Sequence, residues 1–174
     1  MSIAYRDGEL DDAAAIAAMF AESFVDTFGH LYRPDDLAEF LSGVTAQAFR
    51  DELADDRFAF RLALEGSRLA GFAKLGPAQL PVETPPDTIE LYQLYVLPAW
   101  KGRGIAADLM EWALRAAARR SARHVQLSVY VDNHRARRFY ERYGFKAVGR
   151  YDFMVGSQAD EDLVLRHVIM QADW

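Results

Sequence analysis

The sequence predicts a mixed α/β fold, a sheet with helices on its faces. Three observations carry that reading. A strand-like run of branched and aromatic residues, Ile89–Leu97, passes through a loop holding Gly102 and Gly104 into a helical pattern from about Gly104 to Arg120. The patterns along the chain run strand, helices, hairpin, strand, helix, strand, helix, two strands, which is not a regular strand–helix alternation. The 174 residues, 51% apolar and 26% charged, suffice for one domain, residues 1–174, with a sizeable core.

Each element has its own signal. Ile3–Arg6 is a short first strand. Asp11 or Asp12 caps a long helix whose apolar positions are Ile16, Met19, Phe20, Phe24 and Phe28. Pro34, Asp35 and Asp36 start a shorter helix around Leu37, Phe40 and Leu41. Ala46–Ala54 is a further helical segment. Phe58–Leu64 and Leu69–Leu75 form a hairpin about Gly66-Ser67. The prolines of residues 76–87 make a loop. After the strand Ile89–Leu97 and its helix come a strand, Val125–Val131, and a helix, Asn133–Tyr143, stopped by Gly144. Phe145–Tyr151 and Leu163–Met170 close the chain as two antiparallel strands.

Composition excludes several classes. No run of about 18 apolar residues exists to span a membrane, and MSIAYRDGEL lacks the basic-then-apolar layout of a secretory signal. The absence of cysteine removes disulfides and a thiolate nucleophile and fits a cytoplasmic location. The histidines at 30, 124, 134 and 167 have no metal-ligand spacing, so no metal is expected. The net charge of −6 is unevenly spread. Residues 101–150 carry 12 Lys and Arg against 4 acids, and the first hundred residues carry 7 against 17. The acidic remainder repels nucleic acid and attracts a cationic substrate. Arg115, Arg119, Arg120 and Arg123 read most simply as a solvated helix face.

The loop between strand and helix is an anion site. The first N–H groups of a helix have no internal partner and point into the preceding loop. Gly102 and Gly104 carry no side chain to keep a phosphate from the backbone. Lys101 and Arg103 interleave with them, so a pyrophosphate-bearing ligand is expected. GRGIAA also fits the dinucleotide pattern G-x-G-x-x-[G/A], but no acid lies between Glu111 and Asp132 to hold a ribose.

The run LYVLPAWKGRGIAADLM resembles the acetyl-coenzyme A loop of the GNAT superfamily of N-acetyltransferases, [Q/R]-x-x-G-x-[G/A], here Lys101-x-x-Gly104-x-Ala106. The lysine departs from the usual first residue but remains cationic. VYVDNHRARRFYERYGF resembles a second family segment, N-x-x-A-x-x-F-Y-x-x-x-G-F, supplied by Asn133, Ala136, Phe139, Tyr140, Gly144 and Phe145. More loosely, ESFVDTF, RLAGFAKL and DFMVGSQADEDLVL are similar to bacterial spermidine/spermine N-acetyltransferases. The resemblance implies a central, mostly antiparallel sheet splayed at strands 4 and 5, with helices on both faces. It also implies acetyl-coenzyme A as cosubstrate.

Residue roles follow from the resemblance. Leu94, Tyr95 and Val96 lie on the strand whose free N–H groups hold the pantetheine arm; from the residues alone they read as core strand. Lys101, Gly102, Arg103, Gly104, Ile105 and Ala106 hold the pyrophosphate. Asn133 is first a helix N-cap and lies near the cofactor arm. Glu90 takes the amine's proton, although a Glu at a strand end is as readily a solvated end. Tyr140 gives a proton to the departing thiolate, although an aromatic at that position also serves as core. Glu22, Asp26, Tyr32, Tyr92 and Tyr151 are candidates for the acceptor pocket, where acids and aromatic faces suit an alkylammonium.

The expected activity is direct acetyl transfer in a ternary complex to a primary amine, with a polyamine or similar small cation as acceptor. The alternatives are a protein N-terminal or lysine acetyltransferase and a non-catalytic coenzyme A-binding module. The partners are then acetyl-coenzyme A and a small amine, with no nucleic acid or membrane; a homodimer is compatible with the sequence.

Overall fold

The computed structural model describes residues 2–170 of the chain. The elements are β1 Ile3–Asp7, α1 Ala13–Phe28, α2 Pro34–Ser42, α3 Ala46–Leu53, β2 Ala59–Glu65, β3 Arg68–Pro77, β4 Thr88–Val96, α4 Ile105–Arg119, β5 His124–Tyr130, α5 His134–Arg142, β6 Lys146–Val155 and β7 Gln158–Val168. The strands form one sheet in the order β1-β2-β3-β4-β5-β7-β6. Every neighbouring pair is antiparallel except β4 and β5. No helix of the described residues is long and apolar enough to cross a membrane.

The helices cover both faces, as expected. On one face α1 buries Ile16, Met19, Phe20 and Phe24 at helical spacing. Phe20 meets Tyr95 of β4 edge-on at 5.3 Å, and Phe49 of α3 meets Phe72 of β3 at 6.3 Å. On the other face α4 buries Ile105, Leu109, Met110, Ala113 and Ala117. The start of α1 differs from expectation. Asp12 stands at its N-cap position without capping it. Its carboxylate turns back to accept from the Glu9 N–H at 2.8 Å and to pair with Arg6 at 2.7 Å. Thr45 and Asn133 do cap: their side chains accept from the N–H groups of Ala48 and Ala136.

Two irregularities of β4 make room for a site. β4 and β5 pair only over Thr88–Glu90 and His124–Gln126, and beyond that the parallel strands part. β4 also carries a bulge, for Lys74 faces Gln93 while Leu75 faces Leu91, leaving Tyr92 as the extra residue. Side chains alternate faces along a strand, so one extra residue reverses the alternation. The bulge thus puts Glu90 on the same face as Gln93 and Tyr95, the face covered by α1.

The last two strands run longer than their apolar pattern predicts. β6 continues to Val155 and β7 begins at Gln158, joined by a tight turn at Gly156. The expected loop between them is hairpin. Asp160, Glu161 and Asp162 break the apolar pattern, yet Asp160 and Asp162 are buried on β7.

Candidate active site

The parting of β4 and β5 opens a cleft of about 670 Å³. Its walls are β4 from Glu90 to Val96, β5 from Leu127 to Tyr130, residues of α5, and aromatic side chains of α1 and α2. Because β5 has left β4, the N–H and C=O groups on that edge of β4 beyond Glu90 have no strand partner there. They are backbone groups lining a cavity, able to receive an extended polar chain.

One end of the cleft is built for an anion. After a short turn at Pro98–Trp100, Gly102 and Gly104 adopt φ of +81° and +83°, a left-handed conformation suited to glycine. A Cβ on either would meet nothing within 4 Å, so the space beside the backbone is open. Gly104 leads directly into α4, whose N-terminal N–H groups face that space. Glu65 anchors the loop from below, accepting from Trp100 Nε1 at 3.1 Å and Arg103 at 2.8 Å. Lys101 pairs with Asp26 at 3.6 Å across the cleft rim. On α5, Arg135, Arg138 and Arg142 join Asn133, Ala136, Phe139 and Tyr140 in the wall. The sequence reading saw the basic block but singled out none of these three arginines. Burial pushes the Tyr140 phenol up to about 12, so it holds its proton at neutral pH.

The wall formed by β5, β7 and β6 is acidic and aromatic. Tyr130, Asp162 and Tyr151 stand side by side across β5, β7 and β6, and Asp160 stands opposite Phe153. They share one face with Ser128, under Phe28 and Phe40. Asp160 and Asp162 are 8% and 6% exposed. Tyr32 donates to Asp160. Tyr151 donates to Ser128 Oγ at 3.1 Å, beside the Asp162 carboxylate. Burial, aided by the neighbouring charge of Asp160, raises the Asp162 carboxyl to about 7 against the opposing pull of Ser128. Glu90 is equally buried, at 6% exposure. Its Oε2 accepts from the N–H groups of Gln79 and Leu80 at 2.7 and 3.1 Å. Burial raises its pKa, and those two bonds oppose the rise.

Most of the expected residues meet here. Glu90, Tyr92, Leu94, Tyr95, Val96, Lys101, Ala106, Asn133, Tyr140, Tyr32 and Tyr151 all line the cleft. Gly102, Arg103, Gly104 and Ile105 lie outside its lining. The two glycines act through their backbone, Arg103 bonds Glu65, and the Ile105 side chain is in the core. Glu22 is exposed on α1 and Asp26 is turned to Lys101, and neither lines the cleft. The acids that do line it, Asp160 and Asp162, were not singled out in the sequence. Their signal was two acids spaced as same-face strand residues within DEDLVL.

A splayed sheet with a glycine anion loop at a helix N-terminus and a cavity between the parted strands makes a site for a phosphate-bearing ligand with an extended polar arm. Residues 16–145 match the acetyltransferase (GNAT) family, and the chain belongs to that family. It is 33% identical over 157 residues, covering 90% of this chain and 97% of the relative, to an uncharacterised N-acetyltransferase of Mycobacterium tuberculosis. An aminoalkylphosphonate N-acetyltransferase of Salmonella typhimurium is 34% identical over 104 residues, covering 58% and 67% of the two chains. The fold is similar to that of the PaiA N-acetyltransferase of Thermoplasma acidophilum in complex with coenzyme A. That match has a TM-score of 0.78 at 20% identity over 97% of this chain and 99% of the other. The protein is an N-acetyltransferase with acetyl-coenzyme A as cosubstrate.

Proposed function

We propose that this enzyme acetylates a small amine carrying more than one positive charge, a polyamine or a close analogue. The observation that carries the reading is the buried acidic pair Asp160 and Asp162, walled by Tyr32, Tyr130 and Tyr151 in the cleft. Buried carboxylates need compensating charge, and tyrosine faces add cation–π attraction for an alkylammonium. The charge split in the sequence is then functional, although its acidic half at the site comes from β7 and not from the first helices.

In this reading the anion loop and α4 N-terminus hold the pyrophosphate of acetyl-coenzyme A, with Arg135, Arg138 and Arg142 supplying positive charge nearby. The unpaired edge of β4 at Leu94–Val96 holds the pantetheine arm and polarises the carbonyl. The cosubstrate supplies an acetyl group already activated as a thioester. Tyr140, protonated by virtue of its burial, gives a proton to the departing sulfur.

An amine panel assayed with acetyl-coenzyme A and read as free thiol tests the acceptor. The kcat/KM for spermidine should exceed that for a neutral-tailed amine of similar length. The gap should narrow with salt, which screens exposed charge over about 10 Å at 0.1 M. Asp160→Asn should raise KM for spermidine more than for the neutral-tailed amine. Equal responses, or acetylation of peptide amines alone, would replace this reading by a protein acetyltransferase.

A further inference from the structure

We propose that Asp162, not Glu90, is the group that takes the proton from the substrate ammonium. The inference rests on the acetyltransferase activity and not on which amine is the acceptor.

Position is the first argument. Asp162 sits on β7 directly opposite Tyr130 of β5 and Tyr151 of β6, on the sheet face that forms the cleft wall. β4 and β5 run parallel from the Thr88–His124 pair, so Tyr130, and Asp162 opposite it, stand on the side where the two strands have parted, along the free edge of β4. Glu90 lies at the closed end, where β4 and β5 are still paired.

Availability is the second. A general base needs a lone pair that can reach the substrate. Glu90 Oε2 is already held by two backbone N–H groups of the 79–80 segment, bonds that favour the charged form and fix the side chain. The Asp162 carboxylate stands beside Ser128, which itself accepts from the Tyr151 O–H at 3.1 Å, and among the described residues no backbone N–H holds it. It lines the cleft with lone pairs left for a substrate.

The surroundings set the strength of the base. The groups facing Asp162 are Asp160 on its own strand, Tyr32 after α1, Tyr95 on β4, Tyr130 on β5, and Tyr151 on β6. The one among them that raises its proton affinity by charge is the acid Asp160. A carboxyl titrating near 7 can be ionised at neutral pH and still accept a proton usefully, which an ordinary carboxylate near 4 does poorly.

The step balances as follows. An ammonium N–H bond breaks, its electron pair stays on nitrogen, and the proton forms an O–H bond on Asp162. The nitrogen pair forms the C–N bond as the C–S bond breaks, and the sulfur pair takes the Tyr140 proton. The second nitrogen proton restores Tyr140, and the Asp162 proton leaves to solvent. Ammonium and thioester become amide, thiol and one free proton.

The test is the pH dependence of kcat/KM in wild type, Asp162→Asn and Glu90→Gln, on whichever primary amine the wild type turns over. Small amines and peptide N-termini serve equally, so failure of the polyamine reading leaves this result legible. Asp162→Asn should lower kcat/KM about 10²–10⁴-fold at pH 7. It should abolish the acidic limb near 7 and regain rate toward pH 10, where the amine deprotonates unaided. Its acetyl-coenzyme A affinity should stay unchanged. Glu90→Gln should keep the limb. If Asp162→Asn does not fold, Asp162→Glu serves: a limb whose midpoint moves there supports the assignment, and an unmoved one overturns it. A limb lost in Glu90→Gln and kept in Asp162→Asn overturns it, as does a defect that persists undiminished at pH 10.

Discussion

Tyr140 and Asp162 show two opposite uses of burial. Burial disfavours charge, so it holds Tyr140 neutral and able to donate, and it keeps Asp162 near the point of accepting. Tyr140→Phe retains the ring, which packs against Phe139 and Phe145 at 5.5 and 5.9 Å, and removes only the hydroxyl. We expect kcat to fall about 10²–10⁴-fold with acetyl-coenzyme A affinity nearly unchanged, measured by steady-state kinetics beside calorimetry. Wild-type turnover would make the tyrosine a packing residue. The place of Tyr140 and Asn133 in the cleft was legible because both lie in a short contiguous segment. Asp160 and Asp162 were not. A polar residue inside a strand breaks the alternation by which strands are recognised, and a site facing the sheet requires such residues. Glu22 and Asp26 looked plausible because acidity was read from the sequence region, whereas the face a side chain takes is set by register.

Among the elements, α2 and the β6–β7 hairpin pack together behind the acidic wall of the cleft. Asp36, in the first turn of α2, accepts from the Ser157 N–H at 2.7 Å and the Ser157 hydroxyl at 2.9 Å. Arg33 donates to the same carboxylate at 2.8 Å, and these bonds lower it to about 2. Gln158 bonds the Leu31 carbonyl, and Phe40 meets Phe153. The contact depends on Gly156, which has φ of +57° and whose missing Cβ would overlap Asp36. Gly156→Ala should cost at least about 1–2 kcal/mol from backbone conformation alone. At this chain length that corresponds to about 2–4 °C of melting temperature per kcal/mol. It should also raise the acceptor KM while leaving acetyl-coenzyme A affinity alone, because Gly156 meets Asp36 of α2 and no residue of the anion loop. An unaltered KM would separate the hairpin from the acceptor wall. The hairpin was hidden in the sequence by its acids. The helix start at Gly104, the turn at Gly66 and the stop at Gly144 were legible, since left-handed glycines punctuate elements locally. The bulge at Tyr92 had no local signal, because it is a mismatch between two strands.

For the molecule as a whole, the site is a stability liability that the rest of the core offsets. The Asp162 carboxyl titrates near 3.8 when unperturbed and near 7 in the fold. Between those values the folded state binds more protons than the unfolded state, so stability falls as pH rises. Its favourable share is complete below about 3.8 and lost above about 7. At 1.36 kcal/mol per unit, the penalty at pH 8 is about 4 kcal/mol at most. Asp162→Asn removes the charge and keeps the shape. It should therefore raise the melting temperature at pH 8 by several degrees and change it little near pH 4, even as it removes activity. Asp152→Asn, on the exposed side of β6, is the control and should shift neither. Calorimetric melts of the three proteins at the two pH values decide it. A fall in melting temperature at pH 8 on loss of the Asp162 charge would mean that the carboxylate is stabilised by its surroundings. The acidic wall of the cleft would then be a structural network and not a site held ready for a cation and its proton.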